Sequence, residues 1–128
     1  MVASALVCLA FTVYMESRGE PYNGQVAVAS VVLNRVSKND SDVCTEVAMP
    51  SQFPWAKRTF RKTRAGYVVA RKTLPSGDAW ESSLKLADDI LSGDQPIVPR
   101  ITSFHSRSVN PRWRLRRAFA LGRHIFYT

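Results

Sequence analysis

The sequence predicts a small α+β protein, mainly helical with a short β-sheet, that folds as a single domain over residues 1–128. A chain of 128 residues is the size of one domain and buries about two-thirds of its unfolded surface. Its composition, with 45% hydrophobic and 22% charged residues, is typical of globular proteins. Helical patterns dominate the first half, and short strand patterns accompany them in the second half, as in an α+β domain.

The first two predicted helices are apolar and therefore belong in the core. Residues 2–17 form the first, and the turn-forming residues of 18–24 end it. Residues 25–36 are rich in β-branched side chains, which would suit a buried strand. Their length, and their small residues at three- and four-residue spacing, favour a buried helix instead.

The middle of the chain is less regular. A polar loop over 37–42 precedes a short helical turn over 43–48. Residues 50–77 contain several prolines and glycines, which predict an irregular stretch with a short strand over 66–70.

The last part begins with a helix and ends with a strand. Asp78, with Glu81 three residues later, has the spacing of a capping box and predicts Asp78 as the N-cap. Ser92 and Gly93 end this helix. The remaining predicted elements are a strand over 97–104, a helix over 113–121 and a strand over 124–127.

The chain is strongly basic, with a formal net charge of +8. All acidic residues lie between Glu16 and Asp94, and residues 53–72 and 95–128 contain none. Such a surface favours a polyanionic partner: nucleic acid, anionic lipid or the acidic polymers of a bacterial envelope. One basic cluster could bind such a partner or could be a solvated loop: Lys57, Arg58, Arg61, Lys62 and Arg64.

The two cysteines do not define a disulfide framework. Cys8 and Cys44 could pair, or could be small buried side chains. Neither has metal-ligand spacing, and with only His105 and His124 beside them no metal site is expected. We predict no metal and no cofactor.

The N-terminal segment, residues 1–13, is as apolar as a signal peptide but shares no other feature with one. It lacks a basic start and an evident small-residue cleavage site. It is also too short to span a membrane. We therefore interpret it as the first core helix, and expect the chain to be made in the cytoplasm without a signal peptide.

Glu16 is the candidate general acid. It lies in the run Tyr14-Met15-Glu16-Ser17-Arg18-Gly19-Glu20-Pro21, where an apolar helix meets a glycine turn. The helix dipole and burial both disfavour a carboxylate there and raise its pKa toward the value useful for acid catalysis. The alternative is an exposed helix-end residue paired with Arg18.

Most of the other acidic residues have simpler explanations in capping, loops and solvated helix faces: Asp40, Asp42, Asp78, Glu81, Asp88, Asp89 and Asp94. Glu46 lies in a short predicted helix, and the sequence does not establish whether it is exposed. Glu20 does not share a helix face with Glu16, because Gly19 and Pro21 interrupt the helix. Glycoside cleavage normally uses two carboxylates. One acid suffices where the substrate supplies the nucleophile, as N-acetylmuramic acid does with its 6-hydroxyl.

The chain resembles the SleB-type cell wall hydrolase family, which includes spore-cortex-lytic enzymes and phage endolysins. The matching residues begin with Cys8-Leu9-Ala10 and the run around Glu16 and continue in order along the whole chain: Gly24-Gln25-Val26-Ala27-Val28-Ala29, Val32-Leu33-Asn34-Arg35-Val36, Val43-Cys44, Gln52-Phe53-x-Trp55, Ala79-Trp80, Phe104-His105, Val109-x-Pro111-x-Trp113 and Gly122-x-His124-x-Phe126-Tyr127. The resemblance implies a lysozyme-like α+β catalytic domain that cleaves the MurNAc-GlcNAc backbone of peptidoglycan, often as a lytic transglycosylase.

The resemblance also implies roles for individual residues. Glu16 matches the family's catalytic acid, and Glu20 matches the second glutamate of the motif. We expect Glu20 and Arg18 to be supporting residues, with Glu20 holding the turn or Arg18 by hydrogen bonding. The residues expected to contact the substrate are Tyr14, Gln52, Phe53, Trp55, Phe104 and His105. For His105, a structural role near the surface is the alternative.

The predicted function is a monomeric peptidoglycan-cleaving enzyme, a phage endolysin that a holin releases to the cell wall. Its basic surface is expected to hold it against anionic envelope polymers. A muramidase that uses water is the mechanistic alternative. A basic nucleic-acid-binding module is the alternative from another class, but no nucleic-acid motif is present and no such partner is expected.

Overall fold

The computed structural model describes residues 1–72 and 74–128 and confirms the predicted α+β class. Its helices are α1 (Ala5–Ser17), α2 (Tyr22–Asn39), α3 (Val43–Ala48), α4 (Ala56–Thr59) and α5 (Asp78–Ser92). Its strands are β1 (Phe60–Thr63), β2 (Gly66–Val69), β3 (Ser103–Ser106), β4 (Arg117–Leu121) and β5 (His124–Tyr127). The strands form an antiparallel hairpin, β1-β2, and an antiparallel sheet in the order β3-β5-β4.

Helix α1 lies at the centre and packs against α2, α3 and α5. Its side chains Leu9, Phe11 and Val13 are fully buried, as the apolar sequence predicts. The helix starts later than predicted because the side chain of Ser4 accepts a hydrogen bond from the Val7 N–H and caps it. The residues before Ser4 pair instead with the hairpin, where the Val69 N–H donates to the Met1 carbonyl.

Helix α2 confirms the helical interpretation of residues 25–36 and extends it at both ends. It also explains why most of the predicted strand over 97–104 is absent. The Asn34 side-chain amide donates to the carbonyls of Val98 and Ile101, and Ser30 Oγ accepts from the Val98 N–H. Backbone groups that bond to helix side chains in this way are not paired in a strand ladder, and β3 begins only at Ser103.

The predicted helix over 113–121 is wrong, because Arg117–Leu121 is the strand β4. Gly122, at φ 54°, and Arg123 form a two-residue turn that pairs β4 with β5. The ring of Phe119 stacks on that of Phe126 at 5.1 Å, which anchors the strand to the core. The predicted last strand over 124–127 is confirmed.

Two local predictions near the hairpin and α5 also need correction. The strand predicted over 66–70 is confirmed as β2, but its partner β1 was missed because its exposed basic residues hide the period-two pattern. Asp78 is the first helical residue and not the N-cap, which is Gly77 at φ 97°. Glycine adopts this backbone conformation at little cost.

Cys8 and Cys44 form a disulfide bond, so that of the two alternatives the paired one is present. The bond joins α1 to α3 with 5.3 Å between the Cα atoms.

Within the described ranges, no helix combines the length and the hydrophobicity needed to cross a membrane.

Candidate active site

A cleft of about 430 Å³ lies between the end of α1, the loop after α3 and the face of strand β3. Its walls combine aromatic rings with polar side chains. The lining residues are Glu16, Arg35, Ser51, Gln52, Phe53, Ser103, Phe104, His105, Ser106, Trp113, Leu115 and His124. The cleft therefore brings together five of the residues predicted for the site: Glu16, Gln52, Phe53, Phe104 and His105.

Glu16 lies in the last turn of α1 and is partly buried. Burial raises the pKa of its carboxyl group, and a hydrogen bond from Trp55 opposes this shift. The alternative pairing with Arg18 is not observed, since the Arg18 guanidinium lies over the Tyr14 ring, 4.3 Å from its centroid. The carboxyl group is thus both accessible from the cleft and biased toward its protonated form.

Trp55 lies behind Glu16 and not on the wall of the cleft. Its indole N–H donates to Glu16 Oε2 at 3.1 Å, and the side chain is 6% exposed. Its ring stacks on Phe53 with 5.4 Å between the centroids. Trp55 therefore holds the carboxyl group in place, a contact that the sequence did not predict.

His105 faces the cleft with both ring nitrogens engaged. Its Nδ1 lies 2.7 Å from the Ser106 carbonyl and its Nε2 lies 2.7 Å from the Tyr127 hydroxyl. A carbonyl accepts only, so Nδ1 carries the proton and Nε2 accepts from the hydroxyl in the neutral ring. The ring also meets Trp113 edge to face at 5.2 Å. His105 thus lines the cleft and is also held by the sheet, and a contact with substrate stays a prediction.

Glu20 does not line the cleft. Its Oε1 accepts from the Arg123 N–H at 2.6 Å and lies 3.6 Å from His124 Nδ1. Its side chain therefore holds the turn that joins β4 to β5, and not the turn after α1 or Arg18, which the sequence led us to expect. A Cβ atom at Gly122 would lie 2.5 Å from this carboxylate oxygen, so the close approach requires glycine.

Several cleft residues were not assigned to the site from sequence, although Arg35, Trp113 and His124 occur in the matched motifs. Arg35 holds the Gln52 side chain by a hydrogen bond from Nη1 and donates to the Thr102 carbonyl from Nε. His124 is buried, and its Nδ1 has no hydrogen-bond partner among the described residues. Burial lowers the pKa of His124, and the Glu20 charge opposes this.

Tyr14 and Arg18, predicted as a substrate contact and a supporting residue, lie outside this cleft. They line a second cavity, which Trp55 also lines.

In the described part of the chain, no three residues of the His, Cys, Asp or Glu type are grouped so as to hold a metal ion.

The fold and the cleft define a lysozyme-like enzyme domain. The chain belongs to the cell wall hydrolase family, whose model, described as Cell Wall Hydrolase, matches residues 19–127. Glu16 lies just before the matched range, so its assignment depends on the geometry described above and on the sequence motif.

Similar proteins and structures agree with this family. A spore cortex-lytic enzyme of Bacillus cereus is 31% identical over 123 residues, which cover 92% of this chain and 42% of that protein. A spore cortex-lytic enzyme of Bacillus subtilis is 66% identical over 29 residues, 23% of this chain and 10% of that protein. The chain thus spans less than half of the curated relatives that it matches.

Two solved structures share the fold over nearly the whole chain. The catalytic domain of the germination-specific lytic transglycosylase SleB from Bacillus anthracis has a TM-score of 0.74 and 26% identity, covering 100% of this chain and 97% of that one. The catalytic domain of the Bacillus cereus SleB protein has a TM-score of 0.71 and 27% identity, covering 97% and 89%.

Proposed function

We propose that this chain cleaves the MurNAc-GlcNAc backbone of peptidoglycan as a lytic transglycosylase, with Glu16 as its catalytic acid and base. The observation that carries the proposal is a carboxyl group at the wall of an aromatic cleft, with its pKa raised by burial and its position held by Trp55. An acid of this kind remains protonated closer to neutral pH than a free glutamic acid. The solved neighbour from Bacillus anthracis is itself named a lytic transglycosylase.

The carboxylates near the cleft support a scheme with one acid. Glu16 is the one carboxylate among the described residues that line it. Glycosidases that use water or an enzyme nucleophile need a second carboxylate across the scissile bond. Glu20 is engaged by the turn between β4 and β5. A substrate that carries its own nucleophile removes the need for a second carboxylate.

The reaction follows from this arrangement in two proton transfers. Protonated Glu16 donates its proton to the glycosidic oxygen as the bond from that oxygen to the anomeric carbon breaks. The Glu16 carboxylate then accepts the proton of the 6-hydroxyl, while O6 bonds to the anomeric carbon and closes the 1,6-anhydro ring. Between these steps, the hydrogen bond from Trp55 stabilises the carboxylate.

The walls of the cleft are suited to sugar rings. Phe53, Phe104 and Trp113 contribute aromatic rings to the lining, and Gln52 and Arg35 contribute polar side chains. Aromatic rings supply large apolar contact area, whereas a few placed polar groups fix the orientation of a ligand. We infer that these residues bind the glycan on either side of Glu16.

The products of purified peptidoglycan test both the catalytic residue and the chemistry. Wild type is expected to release fragments ending in the anhydro sugar, which lacks one water, whereas a water-using muramidase releases hydrated ends. Glu16→Gln should lower the rate by about 100- to 10,000-fold, the usual contribution of a general acid. Glu81→Gln, on the exposed face of α5, is the matched control. Full activity of Glu16→Gln would contradict the assignment.

We propose further that the chain is a phage endolysin that a holin releases to the wall. The net charge of +8 supports this role, because a lysin must find an anionic envelope. Expression of the chain with a holin should lyse cells, and expression of the Glu16→Gln variant with the same holin should not. Equal lysis by both would contradict it.

A further inference from the structure

A second cavity, of about 420 Å³, lies beside the cleft and is rich in arginine. Arg18 follows α1, Arg58 lies in α4 and Arg71 follows β2, so that three separate segments each contribute one exposed arginine to the lining of the same space. Tyr14 and Trp55 form aromatic parts of its wall. We call this space the arginine cavity.

The three arginines have no carboxylate partner in the ranges that the structure describes. Two of them are positioned by aromatic rings: Arg18 over Tyr14 at 4.3 Å, and Arg71 over Phe11 at 5.7 Å. Like charges that converge on one cavity repel each other, and a bound anion relieves this repulsion. Three arginines without a carboxylate partner among the described residues therefore make this cavity attractive to an anion.

The arginine cavity adjoins the candidate catalytic group through one side chain. Trp55 contributes to the wall of the cavity and donates its indole N–H to Glu16. Tyr14 and Glu16 lie two residues apart on α1, one in each site. The hydrogen-bonded pair of Trp55 and Glu16 therefore links the two spaces, since Trp55 contributes to the wall of one and Glu16 to the wall of the other.

We propose that the arginine cavity binds the carboxylates of the peptide that peptidoglycan carries on its N-acetylmuramic acid residues. This inference rests on the proposed function. Guanidinium groups match carboxylates and phosphates alike through paired N–H donors. The position beside Glu16 favours the carboxylates, since they are attached to the sugar being cleaved, whereas envelope phosphates belong to separate polymers.

Kinetics on two forms of the same glycan test the preference. Strands that keep their peptides are compared with strands from which an amidase has removed them. Wild type should show a higher kcat/KM on the peptide-bearing strands. The preference is the ratio of kcat/KM on peptide-bearing strands to kcat/KM on peptide-free strands. Arg58→Gln/Arg71→Gln should lower this ratio by about tenfold or more, which corresponds to a loss of about 1.4 kcal/mol of charged hydrogen bonding. Arg100→Gln/Arg117→Gln removes the same charge at exposed positions outside both cavities and should keep the ratio.

A binding measurement on the wild-type chain keeps the test independent of catalysis and of variant folding. Arginine side-chain N–H signals are followed by NMR during titration with a free tetrapeptide from peptidoglycan, with its amidated form, and with a glycerol-phosphate oligomer. We expect the signals of Arg58 and Arg71 to shift with the free peptide and not with the amidated one.

The outcomes separate the two proposals. Equal shifts with both peptides, no shift with the free peptide, or a shift with the phosphate oligomer alone would overturn the peptide site. An unchanged kinetic ratio in a folded Arg58→Gln/Arg71→Gln variant would overturn it as well. Peptide binding without cleavage of any strand would instead contradict the proposed function and leave the peptide site standing.

Discussion

The indole N–H of Trp55 donates a hydrogen bond to Glu16 Oε2 across 39 residues of sequence. The bond has two opposite consequences for the candidate acid. It fixes the carboxyl group at the cleft, and it favours the charged form, whereas burial favours the neutral form. Burial is the larger effect, so the pKa of Glu16 is raised.

Trp55→Phe should therefore raise the pKa of Glu16 further, because it removes the contact that favours the carboxylate while keeping most of the apolar wall. The alkaline limb of the pH–rate profile should move to higher pH. The maximal rate should fall by about 10- to 100-fold, since the carboxyl group loses its positioning bond. Trp80→Phe, which alters a buried indole without a bond to Glu16, is the control. A limb that moves to lower pH would contradict the assigned contact.

Glu16 should also make stability depend on pH. Its folded pKa lies above the unfolded value, so its contribution is fully present below the unfolded pKa and is lost as pH rises through the folded pKa. Compared with wild type, Glu16→Gln should gain melting temperature at pH 8 and show little gain at pH 4. Calorimetry at the two pH values measures the difference. A gain confined to pH 4 would show that the pKa is lowered.

Gly122→Ala tests the close approach of Glu20 to the turn between β4 and β5. The substitution strains a left-handed residue and places a Cβ against Glu20 Oε1, which must then lose its bond to the Arg123 N–H. We expect a loss of about 3 kcal/mol in the free energy of unfolding, measured with urea. Gly93→Ala also places alanine at a positive φ but meets open space, and it should cost only about 1–2 kcal/mol. Equal losses would mean that Glu20 moves aside freely.

Glu20→Gln separates a structural role from a catalytic one. Glutamine can still accept from the Arg123 N–H, so the fold and most of the activity should be retained. The pKa of His124 should fall below its wild-type value, because the Glu20 charge raises it. NMR titration of the His124 ring reports the shift. Loss of activity as large as that of Glu16→Gln would instead assign Glu20 a catalytic part.

The basic cluster is expected to hold the enzyme against anionic wall polymers. Lys57 lies in α4, Arg61 and Lys62 lie in β1, and all three are exposed. Charge reversal at these positions should weaken sedimentation of the protein with purified walls and reduce the salt dependence of that binding. Cleavage of soluble glycan fragments should be unchanged. Unaltered wall binding would mean that another surface makes the contact.

The parts of the fold that the sequence predicted well have local signals. Helices α1 and α2 follow from continuous apolar patterns, and the end of α1 follows from the glycine and proline after Glu16. Strand β4 could not be predicted in this way, because its conformation depends on pairing with β5 and on the contact between Phe119 and Phe126. The same holds for β1, whose outward basic residues resemble a loop.

The residues of the candidate site likewise differ in whether a local sequence signal predicts them or only tertiary contacts place them there. Glu16 was found because its helix end, its apolar neighbours and its motif lie within one short run. Trp55 was predicted as a wall residue, and its bond to Glu16 depends on how α1 meets the segment before α4. Arg35 and His124 reach the cleft only through tertiary packing, so their spacing in the chain carries no sign of it.

The bond between Cys8 and Cys44 closes a covalent ring that contains Glu16 and ends eight residues before Gln52. The end of α1 and the loop after α3, which form two of the walls of the cleft, thus belong to segments that one sulfur bridge joins. Under thiol-reducing conditions that tether is lost, and packing alone sets how far apart the two sides stand. The covalent link between α1 and α3 therefore persists only in a compartment that keeps this disulfide oxidised.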